Sequence, residues 1–491
     1  MKTIKYIYLG LFSLTFICLS SCELTGDLDD ESIEFSLDAE TAINDENSAN
    51  LALAGAYAGL TSQGIGTVDH LAAIPSSLAG GVQQGSFANL EEPTYAINDP
   101  LTTETQSNRN SYATLYQVIN KANWIIEKVE ELSDGDFEAP NRRMEMIAEA
   151  KGIRATAHLY VLRLWGQFYD MNSEYGITVR TSPVRSADAF PRNTVAETYA
   201  AIIADLDDVI ASAPDFRQRY YVNKTYGKGL KARVLLYQGD YAGAAALAKD
   251  VIDNAPSDFG LSANYTSIFD HSSAAIYSNT DIIFGSRIDA AAGASGSFFY
   301  TWEFYYGLTP VTATLATAST TIGTQSILHD SDRISSQQAM GFYGLKNLKW
   351  ANDNTTLNHL RISEMYLVLA EASARASNSV TTEALDALNA IRIRAGATTT
   401  GSNGFETYPA TITYEAFLEA VRIEKYIELF GEIGEEWFDM VRYDYADGFG
   451  SGFQVSDIKA TATNSDKFIL PIDELNIQGG GNVVVQNPGY N

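Results

Sequence analysis

Cysteine is nearly absent from this chain of 491 residues: there are two, Cys18 and Cys22, both close to the start. If the start is processed as described below, no thiol remains for a disulfide, a zinc cluster or a nucleophile. Positive charge is also scarce. Lys and Arg number 33 against 61 Asp and Glu, a formal net charge of −28, and such a surface repels nucleic acid and anionic lipid. The five histidines, His70, His158, His271, His329 and His359, show no metal-ligand spacing. The chain carries no GxSxG elbow, no HExxH and no phosphate-binding glycine loop. It also lacks the strand and helix alternation of a barrel hydrolase. Glu435 adjoins Glu436, and Glu424 lies one helical turn from Glu428. Both pairs sit in scaffold-like helices, and a chain this acidic offers too many carboxylate pairs for spacing to pick out a glycosidase. Catalysis is not expected, and neither is a cofactor; a structural calcium ion on surface carboxylates is the one ion left open.

Long apolar runs are missing too, with one exception. "MKTIKYIYLGLFSLTFICLSSC" has two lysines, an apolar run from Ile4 to Leu19, and small residues before Cys22. That is the pattern of a secretory signal rather than a membrane span. The ending "LSSC" looks like a lipobox, so residues 1–21 are expected to leave and Cys22 to carry acyl chains. No other run approaches the ~20 apolar residues needed to cross a bilayer. The segment after Cys22, "ELTGDLDDESIEFSLDAE", is acidic and low in aromatics, and reads as a solvated tether over 22–49.

With 45% hydrophobic residues the remainder is globular in composition, and its pattern is helical. In "YATLYQVINKANWIIEKVEEL" the residues Leu115, Ile119, Ala122, Ile126 and Val129 recur at three and four spacings, predicting one apolar face. "MEMIAEAKGIRATAHLYVLRLWGQFY" is similarly periodic and stops at Gly166. "NTVAETYAAIIADLDDVIASAP" has a cap at Asn193 or Thr194 and ends against Pro214. "KTYGKGLKARVLLYQGDYAGAAALAKDVIDNAP" reads as two helices turning at Gly239, with small residues Ala242 to Ala246 where they meet, which resembles a tetratricopeptide unit. Further pairs are expected at "HLRISEMYLVLAEASARASNSVTTEALDALNAIRIRAG" and "TYEAFLEAVRIEKYIELFGEIGEEWFDMVRY". The helical scaffold thus spans about 105–253 and 357–445.

Between the halves, over about 257–354, periodicity fails and Gly, Ser, Thr and aromatic residues dominate. This insert contains "SFFYTWEFYYG", Ser297 to Gly307, with seven aromatic residues between Phe298 and Tyr306. As a strand it would turn Phe298, Tyr300, Trp302, Phe304 and Tyr306 to one face. Such rings commonly fill a core. Long irregular insertions on a rigid frame, however, are more often binding loops. Flat rings stack on the C–H faces of sugars, and polar side chains at their edge meet the hydroxyls. Trp302, Tyr300, Tyr305, Tyr306 and Trp350 are the stacking candidates, with Arg287, Asp289, Glu303, Asn352 and Asp353 as the polar rim.

Several stretches together resemble the SusD/RagB family of surface glycan-binding lipoproteins of Bacteroidota, over nearly the whole length. They are "YQVINKANWII", "EAKGIRATAHLYVLRLWGQFY", "RNTVAETYAAIIADL", "KARVLLYQGDYAGAAALAKDVI", "LRISEMYLVLAEA", "LNAIRIRAG", "RIEKYIELFGEIGEEWFDMVR", "LPIDELN" and "QNPGY". Each is weak alone; in this order they are specific. "GEIGEEWFD" carries one residue more than the family's usual pattern, so that Glu436 precedes Trp437 and the local turn or its charge pairing is expected to differ.

The resemblance implies a mostly α, SusD-like domain over 50–491, with tetratricopeptide-like pairs supporting loop-rich insertions and no catalysis. It implies an outer-membrane, surface-exposed lipoprotein that captures oligosaccharide and presents it to a SusC-like TonB-dependent transporter. Arg154, Arg361, Glu371, Arg422, Glu428, Trp437 and Asp439 are implied to hold the scaffold. By region, the loop from Gly80 to Asp99 matches a second wall of the ligand site, with Gln83, Gln84, Phe87, Asn89 and Tyr95 as candidates. The acidic balance favours a neutral glycan such as a glucan unless Arg287 and Lys349 line the pocket. The alternatives are peptide capture, as in the RagB branch, or a pure protein-interaction module built on the helical repeats.

Overall fold

The computed structural model describes residues 39–60, 69–84, 92–103, 106–269, 278–286, 306–331, 333–334, 338–341, 344–347, 349, 357–399 and 404–490. The chain divides after Asn44. Of the first unit only residues 39–44 are described, a turn in which Asn44 Nδ2 donates to the Thr41 carbonyl (3.3 Å). All further description concerns residues 45–491.

Fourteen α-helices are present among the described residues: α1 (Glu46–Leu60), α2 (Ile74–Leu78), α3 (Glu92–Ala96), α4 (Gln106–Glu131), α5 (Arg142–Trp165), α6 (Val195–Ser212), α7 (Lys224–Gln238), α8 (Tyr241–Asn254), α9 (Pro310–Thr317), α10 (Ile362–Ser377), α11 (Thr382–Arg394), α12 (Tyr414–Leu429), α13 (Glu435–Tyr445) and α14 (Glu474–Gly479). Local chemistry explains their ends. Thr194 accepts from Glu197 N while Glu197 accepts from Thr194 N, a reciprocal cap that starts α6 where expected. Gly239 (φ +84°) closes α7 in the left-handed region, and Asp240 caps α8 from Gly243 N. Asn378 (φ +50°) closes α10 and Thr381 opens α11. Helix α1 begins at Glu46, inside the stretch read as tether, because Asp45 accepts from Ser48 N (2.7 Å) and supplies a helix start.

The predicted face of α4 is buried: Leu115, Ile119, Ala122, Ile126 and Val129 all lie inside. Helix α5 departs from the amphipathic reading. From Gly152 to Trp165 every residue is buried, because α4 and α6 both pack along it and α1 adds a third cover. Its polar side chains are therefore matched internally: Arg154 pairs with Asp205 (2.6 Å) and Arg163 with Glu435 (2.8 Å). The stack continues through α6 on α7, α7 on α8, α8 on α10, and α10 on both α11 and α12, with α13 against α12. The small-residue contact of α7 with α8 is narrower than the run Ala242 to Ala246. Only Ala244 and Ala248 are buried, while Ala242 and Ala246 face outward. A Cβ on Gly243 would stand 2.5 Å from the capping Asp240 carboxylate and 3.0 Å from Leu235.

Between α8 and α10 the described backbone forms short antiparallel ribbons instead of one sheet. They are β2 (Ile282–Gly285) with β8 (Asn358–Arg361), β4 (Ser319–Ile322) with β5 (Gln325–Leu328), and β6 (Gln338–Gly341) with β7 (Gly344–Asn347). A fourth ribbon crosses the chain: β1 (Val82–Gln84) pairs with β3 (Tyr306–Leu308). Helix α9 interrupts the irregular segment, with Thr309 at its cap and Pro310 at its first turn, where a missing N–H costs nothing. Among the described residues no helix is long and apolar enough to cross a membrane.

Candidate functional site

The ribbon of β1 with β3 joins the two segments that sequence reading assigned to opposite walls of one ligand site. Gln84 lies opposite Tyr306, Gln83 opposite Gly307 and Val82 opposite Leu308. Gln83 is exposed and Val82 buried, as strand alternation requires.

Two glycines seat this ribbon on the helices. Gly80 takes φ +79°, and a Cβ on Gly81 would stand 2.3 Å from the Phe430 ring. The Gly81 carbonyl accepts from Thr309 N (3.0 Å) and from the Thr312 hydroxyl (3.1 Å), and the Thr309 hydroxyl donates to the Gly80 carbonyl. The start of α9 and the end of α12 thus clamp β1 from two sides.

Beneath lies a buried ionic network that ties the insert to the frame. Asp330 holds Arg333 (2.8 Å), which reaches Glu424 (2.5 Å) and Glu428 (3.1 Å) on α12. Arg392 meets Glu424 (3.0 Å), and Arg394 meets Glu428. Arg361 bonds Glu432 (2.8 Å) and Glu428 (3.1 Å), with Asp281 at 3.6 Å. Lys349 bonds Glu432 (3.0 Å) and the carbonyls of Glu428 (3.0 Å) and Phe430 (3.1 Å). Five cations face five carboxylates. Burial disfavours the charged Glu428 carboxylate, yet Arg394, Arg361, Arg333 and Lys349 together hold it well below the usual carboxylate range.

This network corrects the reading of Lys349 as a cation available to an anionic glycan. The side chain is fully buried, and burial pushes its pKa down while Glu432 opposes the shift. Tyr95 is likewise not a ligand-facing ring: it is 1% exposed, part of the core. Trp302, Tyr300, Tyr305, Trp350, Arg287, Asp289, Phe87 and Asn89 lie outside the described residues, as do Glu303, Asn352, Asp353 and Cys22. Gln84 and Tyr306 are described in their backbone alone, and there they are cross-strand partners.

The seven residues read as scaffold are all buried and engaged. Arg154, Arg361 and Glu428 have the partners given above. Glu371 takes Arg442 (3.1 Å) and Lys425 (2.8 Å), Asp439 takes Lys425 (3.2 Å) and Arg442, and Arg422 pairs with Glu419. Trp437 Nε1 donates to the Phe468 carbonyl (3.3 Å). In "GEIGEEWFD", Gly431 (φ +68°) and Gly434 (φ +77°) take left-handed conformations. Glu435 faces Arg163 and Arg233, whereas Glu436 turns toward Ser76 and Gly431 N (3.0 Å), with no cation bonded to it among the described residues. Burial pushes Glu436 up to about 7, against the hydrogen bonds that favour its ionised form. His359 uses both ring nitrogens inside the core, on Tyr160 and on Ser286 (2.7 Å). Among the described residues no three His, Cys, Asp or Glu side chains are grouped to hold a metal ion.

Sequence reading missed Gly81, Thr309, Thr312 and Arg333. The tandem glycine ahead of β1 was the available signal for the first. The others are short polar residues whose partners lie far off in sequence.

Two family models match the chain. One, described as "Starch-binding associating with outer membrane", covers residues 42–234, and the other, the SusD family, covers 319–490. Among curated proteins, a SusD-like protein of Bacteroides ovatus is 27% identical over 170 residues, 32% of this chain and 29% of that protein. A SusD-like protein of Formosa agariphila is 26% identical over 270 residues, 54% of this chain and 48% of that protein. The chain therefore spans half or less of the curated relatives it matches. Among solved structures, a putative sugar binding protein of Bacteroides vulgatus superposes with a TM-score of 0.72 at 22% identity, covering 92% of this chain and 100% of its own. A laminarin binding SusD-like protein gives 0.71 at 18%, covering 91% and 100%. A SusD superfamily protein of Bacteroides thetaiotaomicron gives 0.70 at 21%, covering 90% and 99%. The solved structures share the fold, and the two family models together place the chain in the SusD/RagB family.

Proposed function

We propose that this protein is a non-catalytic outer-membrane lipoprotein that captures a neutral oligosaccharide on the aromatic insert and delivers it to a SusC-like TonB-dependent transporter. The observation that carries the reading is the ribbon of β1 with β3, which joins the loop after Gly80 to the end of the aromatic stretch. The two family models stop at 234 and resume at 319, so "SFFYTWEFYYG" falls in the interval neither covers. A ring-rich insert on a rigid helical frame is suited to ligand capture. The family description, starch-binding in association with the outer membrane, supports both ligand class and location. The laminarin-binding neighbour supports a glucan. Delivery to a transporter rests on the family resemblance, and lipid attachment on Cys22.

The test is a panel of soluble glycans and peptides titrated against the intact protein, followed by tryptophan fluorescence and by heat. A saturable response to one neutral glycan, lost in Trp302→Ala with unchanged thermal unfolding, supports capture on the rings. A response to peptides alone would move the protein to the peptide branch, and tight binding of a sulfated glycan at moderate salt would overturn the preference for a neutral ligand.

A further inference from the structure

A cavity lies outside the insert, where α5, α7, α10 and α13 all end. Its volume is about 240 Å³, and Tyr169, Asp170, Tyr241, Arg375, Tyr445 and Phe449 are among its walls. That is somewhat below the ~300–1,000 Å³ of sites for drug-sized ligands, so it suits one ring rather than a chain.

The charges beneath it do not balance. Arg375, Lys425 and Arg442 share two carboxylates, Glu371 and Asp439, so three cations meet two anions. The neighbouring group of Arg163 and Arg233 with Glu364 and Glu435 is neutral, as is the five-against-five network under the insert. Arg375 lines the cavity. Its Nη1 donates to Glu371 (3.0 Å), but among the described residues no acceptor reaches Nη2, although the side chain is only 3% exposed. A buried guanidinium N–H left without an acceptor is costly, and a charged acceptor would satisfy it best. Capping N–H groups from Gly239, Asn378 and Ala446 already occupy terminal carbonyls of α7, α10 and α13.

Phe449 covers Arg375. The Phe449 ring centroid lies 3.1 Å from the guanidinium carbon. Phe449 itself sits at φ +56°, a conformation unfavourable for a bulky side chain, between Gly448 (φ +57°) and Gly450 (φ +100°). At the mouth, the half-exposed Tyr445 ring lies against Tyr169 (5.2 Å between centroids), with Asp170 on the same wall.

We propose that this cavity is a second ligand site, specific for a single-ring sugar acid such as a hexuronate. The carboxylate of the ligand takes the free N–H groups of Arg375 once Phe449 turns aside. The ring lies against Tyr169 and Tyr445, and Asp170 accepts from its hydroxyls. The site is independent of the insert and of the glycan captured there.

The experiment is ligand-observed NMR titration of the intact protein with D-glucuronate and, in parallel, with D-glucose, which has the same ring without the carboxylate. Glucuronate is expected to bind saturably and at least about ten-fold more tightly than glucose. Arg375→Gln and Tyr445→Ala should each weaken it by about ten-fold or more, whereas Trp302→Ala should leave it unchanged. Because Arg375 is buried and its replacement risks the fold, the exposed Tyr445→Ala variant, with thermal unfolding as in the parent, carries the decision. Absence of saturation with glucuronate, equal affinity for glucose, or full affinity in Tyr445→Ala would overturn the proposal. Loss in Trp302→Ala would assign the sugar acid to the insert instead, which also overturns it.

Discussion

The helical frame and the insert both depend on buried ion pairs, but they distribute them differently. Within the frame, pairs such as Arg154 with Asp205 and Arg233 with Glu364 run from helix to helix, and each replaces solvent for two packed elements at once. In the insert, Asp281, Arg333 and Lys349 converge on one network with Arg361, Glu424, Glu428 and Glu432, Asp330 holding Arg333, and the described backbone between them consists of helix α9 and ribbons of three or four residues. The frame is thus fixed along its length and the insert at its anchors. Side chains between anchors are free to change with the ligand while the fold is kept, which is how one scaffold serves many sites.

That contrast can be broken most severely from the frame side. Glu371→Ala removes one of two carboxylates serving Arg375, Lys425 and Arg442. Leaving buried cations uncompensated should cost about 3–5 kcal/mol in denaturant unfolding. A loss below about 1 kcal/mol would mean that the pairs do not hold the frame.

Glu436 sharpens the comparison through pH. Its folded pKa, raised by burial to about 7 from 4.5, means that the folded state binds the extra proton. The stability this contributes is fully present below about pH 4.5 and is lost as pH rises through 7, on the order of 3 kcal/mol at most. Thermal unfolding of Glu436→Gln between pH 4.5 and 7.5 should lack this decline. A parallel decline in parent and variant would assign it to other groups.

Gly81→Ala acts at the junction. The added methyl meets the Phe430 ring and should cost about 1–3 kcal/mol by overpacking. It should also shift the ribbon of β1 with β3 and weaken glycan binding, and Phe430→Leu in the same chain should restore part of both. Failure of that second change to restore anything would place the strain elsewhere.

The smallest effect on stability belongs to the insert. Trp302→Ala should change unfolding by no more than about 0.5 kcal/mol and glycan binding by about 1–3 kcal/mol, by analogy with stacking of bases on aromatic rings. Unfolding of the variant would return "SFFYTWEFYYG" to the core.

The sequence by itself determined the long paired helices and several of their ends. The α4 face, the Thr194 cap, the Gly239 turn and the paired helices are set by residues within a few positions of each other, and periodicity and capping chemistry record such contacts directly. Order along the chain was also enough to reveal the family. Tertiary structure decided what depends on distant partners. It buried all of α5 after Gly152, where the pattern alone suggested one face, because neighbours close on it from several sides. It took Lys349 and Tyr95 out of the ligand site, since a charge or a ring looks the same in sequence whether its partner is a buried glutamate, a core, or a sugar. It also set Gln84 opposite Tyr306, some 220 residues apart in the chain, a pairing fixed by strand hydrogen bonds that no local pattern encodes.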